Sequence, residues 1–371
     1  MRNILPRTAV IELTSRCNHA CIFCSCPWEF DKDYKNTELP KETWFEVIKT
    51  YIQNGVEHIT FTGGEPLMRD DLLDIVEFAK KQGISVGVIS NGRKIDKDFL
   101  NRIKNLDILL SISVPGLETF KEHTGIDNIE HVLNIFKECK ELGIRTVANI
   151  AVTKKNLPEL YENISYPLIN GASYVLLNRF LPGGRGMYNK EFLLTNDEIN
   201  QMLDIAEEVL ERAGMHGHVG TELPYCIIKE PGKYKRIHVG TKCSAVKMFF
   251  VTDPSGYIKV CNHSPERICR WDELDKLDTH PTWNRYKQSD YIPEMCKGCK
   301  DLDKCDGGCR EAGRVNYGTI DSPDPCFLCK NTESLWVSIE NLYNIDRSRN
   351  DIFWQCGNNI SKTRFCFGWH R

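Results

Sequence analysis

The chain has 371 residues, 41% of them hydrophobic, and a formal net charge of −3. That length suits one large domain or two ordinary ones with a real core, and a near-even charge without a basic stripe excludes nucleic acid as an expected partner. No apolar run approaches the roughly 18 residues of a membrane-spanning helix, and Met1 to Thr8 carries no apolar stretch of a secretory signal, so a cytoplasmic protein is expected.

The first 213 residues alternate short β-branched runs with helical patterns. A strand is expected over Ala9–Leu13, a helix over Lys41–Asn54, a strand over His58–Thr62, a helix over Asp71–Gln82 and a strand over Ile84–Ile89. Helix Asp96–Lys104, strand Leu106–Ser113, helix Ile129–Leu142 and strand Ile144–Val152 follow. Helix Leu157–Ile169, strand Tyr174–Phe180 and helix Asn196–Ala213 complete the series. Gly83 and Gly143 stand where helix C-caps belong. Six β-α units in alternation predict an α/β fold with a parallel sheet and helices outside it. It is either doubly wound or a partial, six-stranded (β/α)6 version of the α/β barrel, whose chemistry gathers at the C-terminal strand ends.

After Gly214 the alternation stops. The following stretch is rich in Gly, Pro, Asp and Cys, with little room for a hydrophobic core, so metal is expected to hold it together. Beyond it a helix is expected over Glu333–Tyr343, then an aromatic tail with Phe353, Trp354, Phe365, Phe367 and Trp369 beside Cys356 and Cys366. Three parts follow: a barrel over 1–225, a cysteine-rich domain over 226–335, and a C-terminal helix and tail over 336–371.

Seventeen cysteines are too many for structural thiols alone. Disulfides are disfavoured in a reducing compartment, so close clustering points to zinc or iron–sulfur ligation. Cys139 is separate: it lies in an amphipathic pattern with Ile135, Phe136 and Leu142 and reads as a buried thiol.

Directly after the first strand runs Cys17-Asn18-His19-Ala20-Cys21-Ile22-Phe23-Cys24. Three cysteines at these spacings fit a loop around a cubic iron–sulfur cluster, and a cluster that wants four ligands is left with one open iron. The competing reading is a zinc loop with Cys26 or His19 as fourth ligand. Thr62-Gly63-Gly64-Glu65-Pro66 at the end of the second strand reduces its weight, because glycines admit a close approach and Glu65 accepts hydrogen bonds from an ammonium group. Ser90-Asn91-Gly92 ends the third strand. Each stretch alone is an ordinary turn; together, after successive strands, they converge on one barrel mouth.

With these motifs residues 8–213 resemble the radical S-adenosylmethionine (SAM) superfamily. The resemblance implies a [4Fe–4S] cluster on Cys17, Cys21 and Cys24, with Phe23 before the last cysteine. SAM would chelate the open iron, Gly63, Gly64 and Glu65 would meet its amino group, and Ser90, Asn91 and Ser113 would complete its site. The implied reaction is reductive cleavage of SAM to a 5′-deoxyadenosyl radical that takes a hydrogen atom from substrate, with an electron from a flavodoxin or ferredoxin. There are departures. Strand four ends Ser113-Val114-Pro115-Gly116 where relatives often have Ser-x-Asp-Gly, and Thr124-Gly125 replaces an arginine before a glycine.

Further on, Cys243 is followed by twelve residues, Gly256, four residues and Cys261; then come Cys296, Cys299, Cys305 and Cys309 at spacings of two, five and three, and finally Cys326. This pattern resembles the SPASM domain, which holds two auxiliary clusters, making three [4Fe–4S] clusters in all. The resemblance gives Cys243, Cys261 and Cys309 to the first and Cys296, Cys299, Cys305 and Cys326 to the second, with Cys329 an alternative to Cys326. The first is one ligand short; Cys226, Cys269 or an open iron would fill the place.

SPASM proteins of this superfamily mostly modify peptides or proteins, so a maturase of a ribosomally made peptide is expected. The runner-up is an anaerobic sulfatase maturase. Those enzymes carry a basic Asp where this chain has Asn262, and an amide cannot take a proton. His263 is the remaining weak candidate for a base. A non-catalytic electron carrier would have no need of an open iron. With about ten residues ahead of the barrel, leader recognition is expected from a separate small protein or from the barrel and tail themselves.

Overall fold

The computed structural model describes residues 4–27 and 37–327. The expected helix Glu333–Tyr343, the aromatic tail, Cys329, Cys356 and Cys366 lie outside the described residues.

The six expected strands form with small shifts at their ends: β1 (Thr8–Glu12), β2 (His58–Thr62), β3 (Ser85–Ser90), β4 (Leu109–Ser113), β5 (Arg145–Val152) and β6 (Tyr174–Arg179). Between them run α1 (Lys41–Gln53), α2 (Leu72–Lys81), α3 (Lys97–Ile103), α4 (Phe120–Thr124), α5 (Ile129–Glu141) and α6 (Leu160–Ile169), and α7 (Asn196–Ala213) follows β6. Sequence sets the helix starts locally. The Asp96 side chain accepts from Phe99 N at 2.8 Å ahead of α3, and Thr195 and Glu198 close a capping box on α7. The strands pair in parallel in chain order, so every strand-to-helix loop opens on the same end of the sheet.

The sheet does not stop at six. β7 (Gly217–Val219) and β8 (Ile237–Val239) extend it in parallel beyond β6. At the other edge β9 (Phe249–Thr252) lies parallel to β1, Thr8 opposite Phe249, and hairpins on to β10 (Tyr257–Lys259) and the two-residue β11 (Cys269–Arg270). The result is one open sheet with β11 and β8 at its ends. α8 (Pro281–Gln288) and α9 (Arg310–Tyr317) follow.

The cysteine-rich region, expected to have little core, shares that of the barrel instead. Phe250, Ile258, Val260, Trp283, Tyr286 and Tyr291 are buried in one cluster with Trp44 and Tyr51 of α1. Tyr51 meets Phe250 edge-on at 5.1 Å, and its hydroxyl bonds Thr252 Oγ1 at 2.7 Å. The aromatic side chains of a segment without helical periodicity thus seal the face that β1 alone would leave open.

One ion pair crosses this seam. Lys259 Nζ at the end of β10 lies 2.9 Å from Glu12 Oε2 at the end of β1, both almost fully buried, and Asn262 Nδ2 donates to Glu12 Oε1 at 3.3 Å. Burial pushes the Glu12 carboxyl above its ordinary range despite the opposing Lys259 charge. The pair locks the start of the chain to the turn that carries Cys261.

Candidate active site and cluster ligands

The loops after β1, β2 and β3 are laced together by short bonds. Gly64 N donates to Thr14 O and Glu65 N to Arg16 O, each at 2.8 Å, so the Gly63-Gly64-Glu65 segment runs as an extra rung beside the residues leading into Cys17. A Cβ on Gly63 would stand 2.4 Å from Thr14 O, and one on Gly64 2.4 Å from Arg16 O. Both glycines are therefore demanded by backbone against backbone, before any ligand is considered.

Glu65 is buried. Its Oε1 accepts from Leu67 N at 3.1 Å and Ser90 Oγ at 2.9 Å, and its Oε2 from Asn91 N at 2.7 Å. Burial outweighs these three donors and raises the carboxyl to about 6. The first work of Glu65 is thus to join the β2 and β3 loops. Two acceptor oxygens offer about four lone-pair sites, so one place on Oε2 is left for a further donor. Asn91 carries the lacing onward: its Nδ2 donates to Asn18 Oδ1 at 2.7 Å and lies 3.8 Å from Cys17 Sγ.

The cysteine loop has two more walls, which sequence reading did not single out. At the end of α4, Thr124 O accepts from Ala20 N and His123 O from Ile22 N, each at 2.9 Å. The Phe23 ring sits 5.9 Å from the His123 ring. Nδ1 of that ring faces the Thr119 carbonyl at 3.0 Å and must donate to it, which leaves Nε2 to accept from Thr153 Oγ1 at 2.8 Å. Main-chain carbonyls of α4 thus hold the cysteine loop from one side. The second wall is the Pro182-Gly183-Gly184-Arg185-Gly186 loop after β6. Arg185 donates to Cys21 O at 3.1 Å, Gly186 N to Cys24 O at 3.0 Å and Asn189 to Ile22 O at 2.9 Å. Gly184, at φ +46°, lies so close that a Cβ there would meet Cys26 O at 2.4 Å. The glycine run after the sixth strand was the available signal.

Within this frame Cys17 is exposed and Cys21 and Cys24 are half-buried. Burial first, then the charges of Cys24 and Cys17, push the Cys21 thiol up, which places the three sulfurs near one another. Cys26 hydrogen-bonds Cys24 and faces the Glu12–Lys259 pair. Ser113 ends β4, with Asn149 as its β5 register partner. His263 is held neutral: burial lowers it to about 4, with Lys259 and Arg179 adding to the effect, so it is a feeble proton acceptor at neutral pH.

The C-terminal thiols fall into two groups. Burial, then Glu222 and Cys309, raises Cys243, and burial, then Glu311, Cys309 and Cys243, raises Cys261. The Cys309 thiol reaches about 12, by burial first. Cys326 lies near Cys309. Asp324 accepts from both Cys309 N, at 2.8 Å, and Cys326 N, at 3.0 Å, while Arg179 NH1 donates to Cys326 Sγ at 3.0 Å. In the other group Cys296 is raised to about 11 by burial and then by Cys305, with Cys226 and Cys299 also acting on it. The family resemblance offers Cys226, Cys269 or an open iron as the fourth ligand beside Cys243, and Cys326 or Cys329 beside Cys296. Cys269, the other candidate, sits apart on β11 with Glu273 and Lys276 as charged neighbours.

The donor sets suit clusters. All fourteen described cysteines are free thiols. Peptide N–H groups point at sulfur: His19 N at Cys17, and Tyr225 N and Gly307 N at Cys305, within 3.5 Å. Such donors stabilise ligating thiolates. Coordination also reverses the effect of burial on these thiols, since a metal-bound thiol is deprotonated outright.

Residues 11–164 match the Radical SAM superfamily. Among curated proteins the chain is 24% identical over 338 residues to the PqqA peptide cyclase of Granulibacter bethesdensis, covering 86% of each. It is 25% identical over 353 residues to the PqqA peptide cyclase of Bradyrhizobium diazoefficiens, covering 91% of this chain and 90% of that one. Among solved structures, Streptococcus suis SuiB bound to its precursor peptide SuiA superposes with a TM-score of 0.69 at 15% identity, over 86% of this chain and 75% of that one. The hexahistidine-tagged anSMEcpe with bound AdoMet gives 0.68 at 18% identity, over 92% and 97%. The two superpositions show that the sheet shares the fold of these proteins.

Proposed function

We propose that this protein is a radical SAM maturase that modifies a peptide, with Cys17, Cys21 and Cys24 holding the SAM-binding [4Fe–4S] cluster and two auxiliary clusters in the C-terminal half. The observation that carries the reading is the lacing of the Cys17 loop to Gly63-Gly64-Glu65 and Asn91, which builds one site from three strand ends. The reduced cluster supplies the electron that cleaves SAM to a 5′-deoxyadenosyl radical, which takes a hydrogen atom from the peptide. The chain's own residues orient and exclude. Asn91 and His19 N steady Cys17, the open place on Glu65 Oε2 accepts from the SAM amino group, and Phe23 against His123 closes the loop's inner side.

A peptide substrate is supported by the named activity of the 24–25% identical relatives and by the precursor peptide on SuiB. The sulfatase-type reading loses ground because Asn262 gives its N–H to Glu12 and has no proton-accepting role. A flavodoxin or ferredoxin is the reductant this reading calls for, and leader recognition falls either to a separate small protein or to this chain itself. The test is anaerobic incubation of the reconstituted protein with SAM, dithionite and each short peptide that sequencing of its gene neighbourhood identifies, with a sulfatase-type peptide as the comparison substrate. A mass change in the peptide supports the reading, and an unchanged peptide beside a formylglycine-forming reaction on a sulfatase peptide would overturn it.

Gly64→Ala checks the lacing. Overpacking costs about 1–3 kcal/mol and forces the Cys17 approach aside, so 5′-deoxyadenosine formation is expected to fall roughly 10- to 100-fold, with the iron of the C-terminal half retained.

A further inference from the structure

The inner face of the sheet stays polar well beyond the Cys17 loop. On β5 to β8, Ile150, Val152, Val175, Leu177, Val219 and Ile237 are buried in one cluster with the apolar residues of α6 and α7. Strand alternation then turns Asn149, Asn178, His218 and His238 to the opposite, inner face. A closed α/β barrel fills that face with branched apolar side chains; here it forms a polar trough. Asn178 Nδ2 donates to Asn149 Oδ1 at 2.9 Å. A Cβ on Gly220 would stand 2.6 Å from Asn178 Oδ1, so glycine alone fits beside this pair.

Where β7 and β8 end, the trough opens into a cavity of about 330 Å³, lined by His218, Glu222, His238, Gly240, Lys242 and Lys304. His218 and His238 are register partners, and their rings stack at 4.9 Å with 12° between the planes. Two imidazolium charges so close repel each other, and a neutral ring still offers one N–H donor. Lys304 donates to Asp301 Oδ1 at 3.0 Å. Lys242 stands exposed at the rim and has no carboxylate partner among the described residues. Glu222 is the opposing charge, but its Oε1 accepts from Ser244 N at 3.3 Å, and its main-chain oxygen accepts from Arg179 at 2.9 Å. An ammonium without a counter-charge and two ring donors call for an anion.

We infer that this cavity is a carboxylate subsite, which takes an Asp or Glu side chain of the peptide on Lys242 Nζ and the imidazoles of His218 and His238. The source of that carboxylate rests on the peptide-maturase reading. The strands from β1 to β8 are parallel, so the cavity and the Cys17 loop open on the same end of the sheet. An acidic residue anchored at β7 and β8 lays the peptide across the trough toward β1. The amides of Asn178 and Asn149 on the way suit a main chain, which offers both donors and acceptors.

Binding without turnover tests it. The probes are two acetylated, amidated pentapeptides, Gly-Gly-Glu-Gly-Gly and Gly-Gly-Gln-Gly-Gly. Ligand-observed nuclear magnetic resonance follows them with the full chain, reconstituted anaerobically and given SAM but no reductant. The glutamate peptide should bind about tenfold more tightly, because the glutamine peptide forgoes the charged contact. Lys242→Met should bring the two peptides level, with iron content equal to wild type showing that the adjacent Cys243 is undisturbed. His238→Gln, farther from any cysteine in sequence, covers a Lys242 variant that loses iron and should narrow the same gap. A wild type without preference for glutamate, or a preference that neither replacement reduces, would overturn the subsite. A wild type that prefers glutamate but modifies no neighbourhood peptide would leave the carboxylate site standing and remove the maturase reading. A peptide modified by a chain that shows no such preference would do the reverse.

Discussion

Replacing Cys17, Cys21 and Cys24 together by alanine will abolish 5′-deoxyadenosine formation and lower the iron content by about four atoms per chain. The loss of rate should be at least about 10³-fold, a modest part of the acceleration that enzymes command. The fold should survive, because the loop is held mainly by main-chain bonds. Thr124 O, His123 O and Gly186 N do not depend on any thiol, and the core around β1 lies beneath the loop. Anaerobic iron analysis, chromatography of the nucleoside products and far-ultraviolet circular dichroism on one preparation separate the two effects. A variant that kept its SAM cleavage would place the open iron elsewhere in the chain.

The largest effect on stability is expected at Asp324. It is wholly buried with Arg179, it accepts from Cys309 N and Cys326 N, and it closes the Arg179 guanidinium in a two-point contact. Removing one member of a buried pair leaves an uncompensated charge and costs about 3–5 kcal/mol. Asp324→Ala should therefore lower the thermal midpoint by about 5 °C or more. Arg179→Met with Asp324→Leu should recover only part of the fall, since an apolar pair removes the stranded charge but not the need of the two amides for an acceptor. Thermal unfolding of the three proteins under argon checks this. An Asp324→Ala midpoint equal to wild type would mean that the β6 end and the Cys309–Cys326 segment are not coupled as described.

Legibility in the sequence followed length and locality. The six barrel strands carry three or more apolar or β-branched residues between helices, and periodicity placed them to within a few residues. β7, β8, β10 and β11 have two or three residues each, too few for any period. β9 finds its partner in β1, some 240 positions away in register, which no local pattern encodes. The aromatic residues of 250–291 were visible, but that they cover the open flank of β1 is a tertiary fact.

The site divided the same way. Cys17, Cys21, Cys24 and the Gly63-Gly64-Glu65 run declared themselves by spacing, and the fold brings them together. Glu65 was legible as an acceptor but not as the clasp of three donors, which depends on Ser90 and Asn91 arriving from β3. The carbonyls of His123 and Thr124 have no sequence signature, since any residue supplies one. The family resemblance gave Cys326 to the second auxiliary cluster, and no spacing could show that Arg179 would reach its sulfur from the end of β6.

Hydrogen-atom transfer from a peptide to a nucleoside radical is the step on which the proposed function stands. It is read most directly by mass spectrometry of 5′-deoxyadenosine formed anaerobically with SAM, dithionite and a perdeuterated form of a candidate substrate peptide from the gene neighbourhood. Deuterium in the nucleoside together with a changed peptide mass is the expected result. Unlabelled 5′-deoxyadenosine beside an unaltered peptide would contradict it.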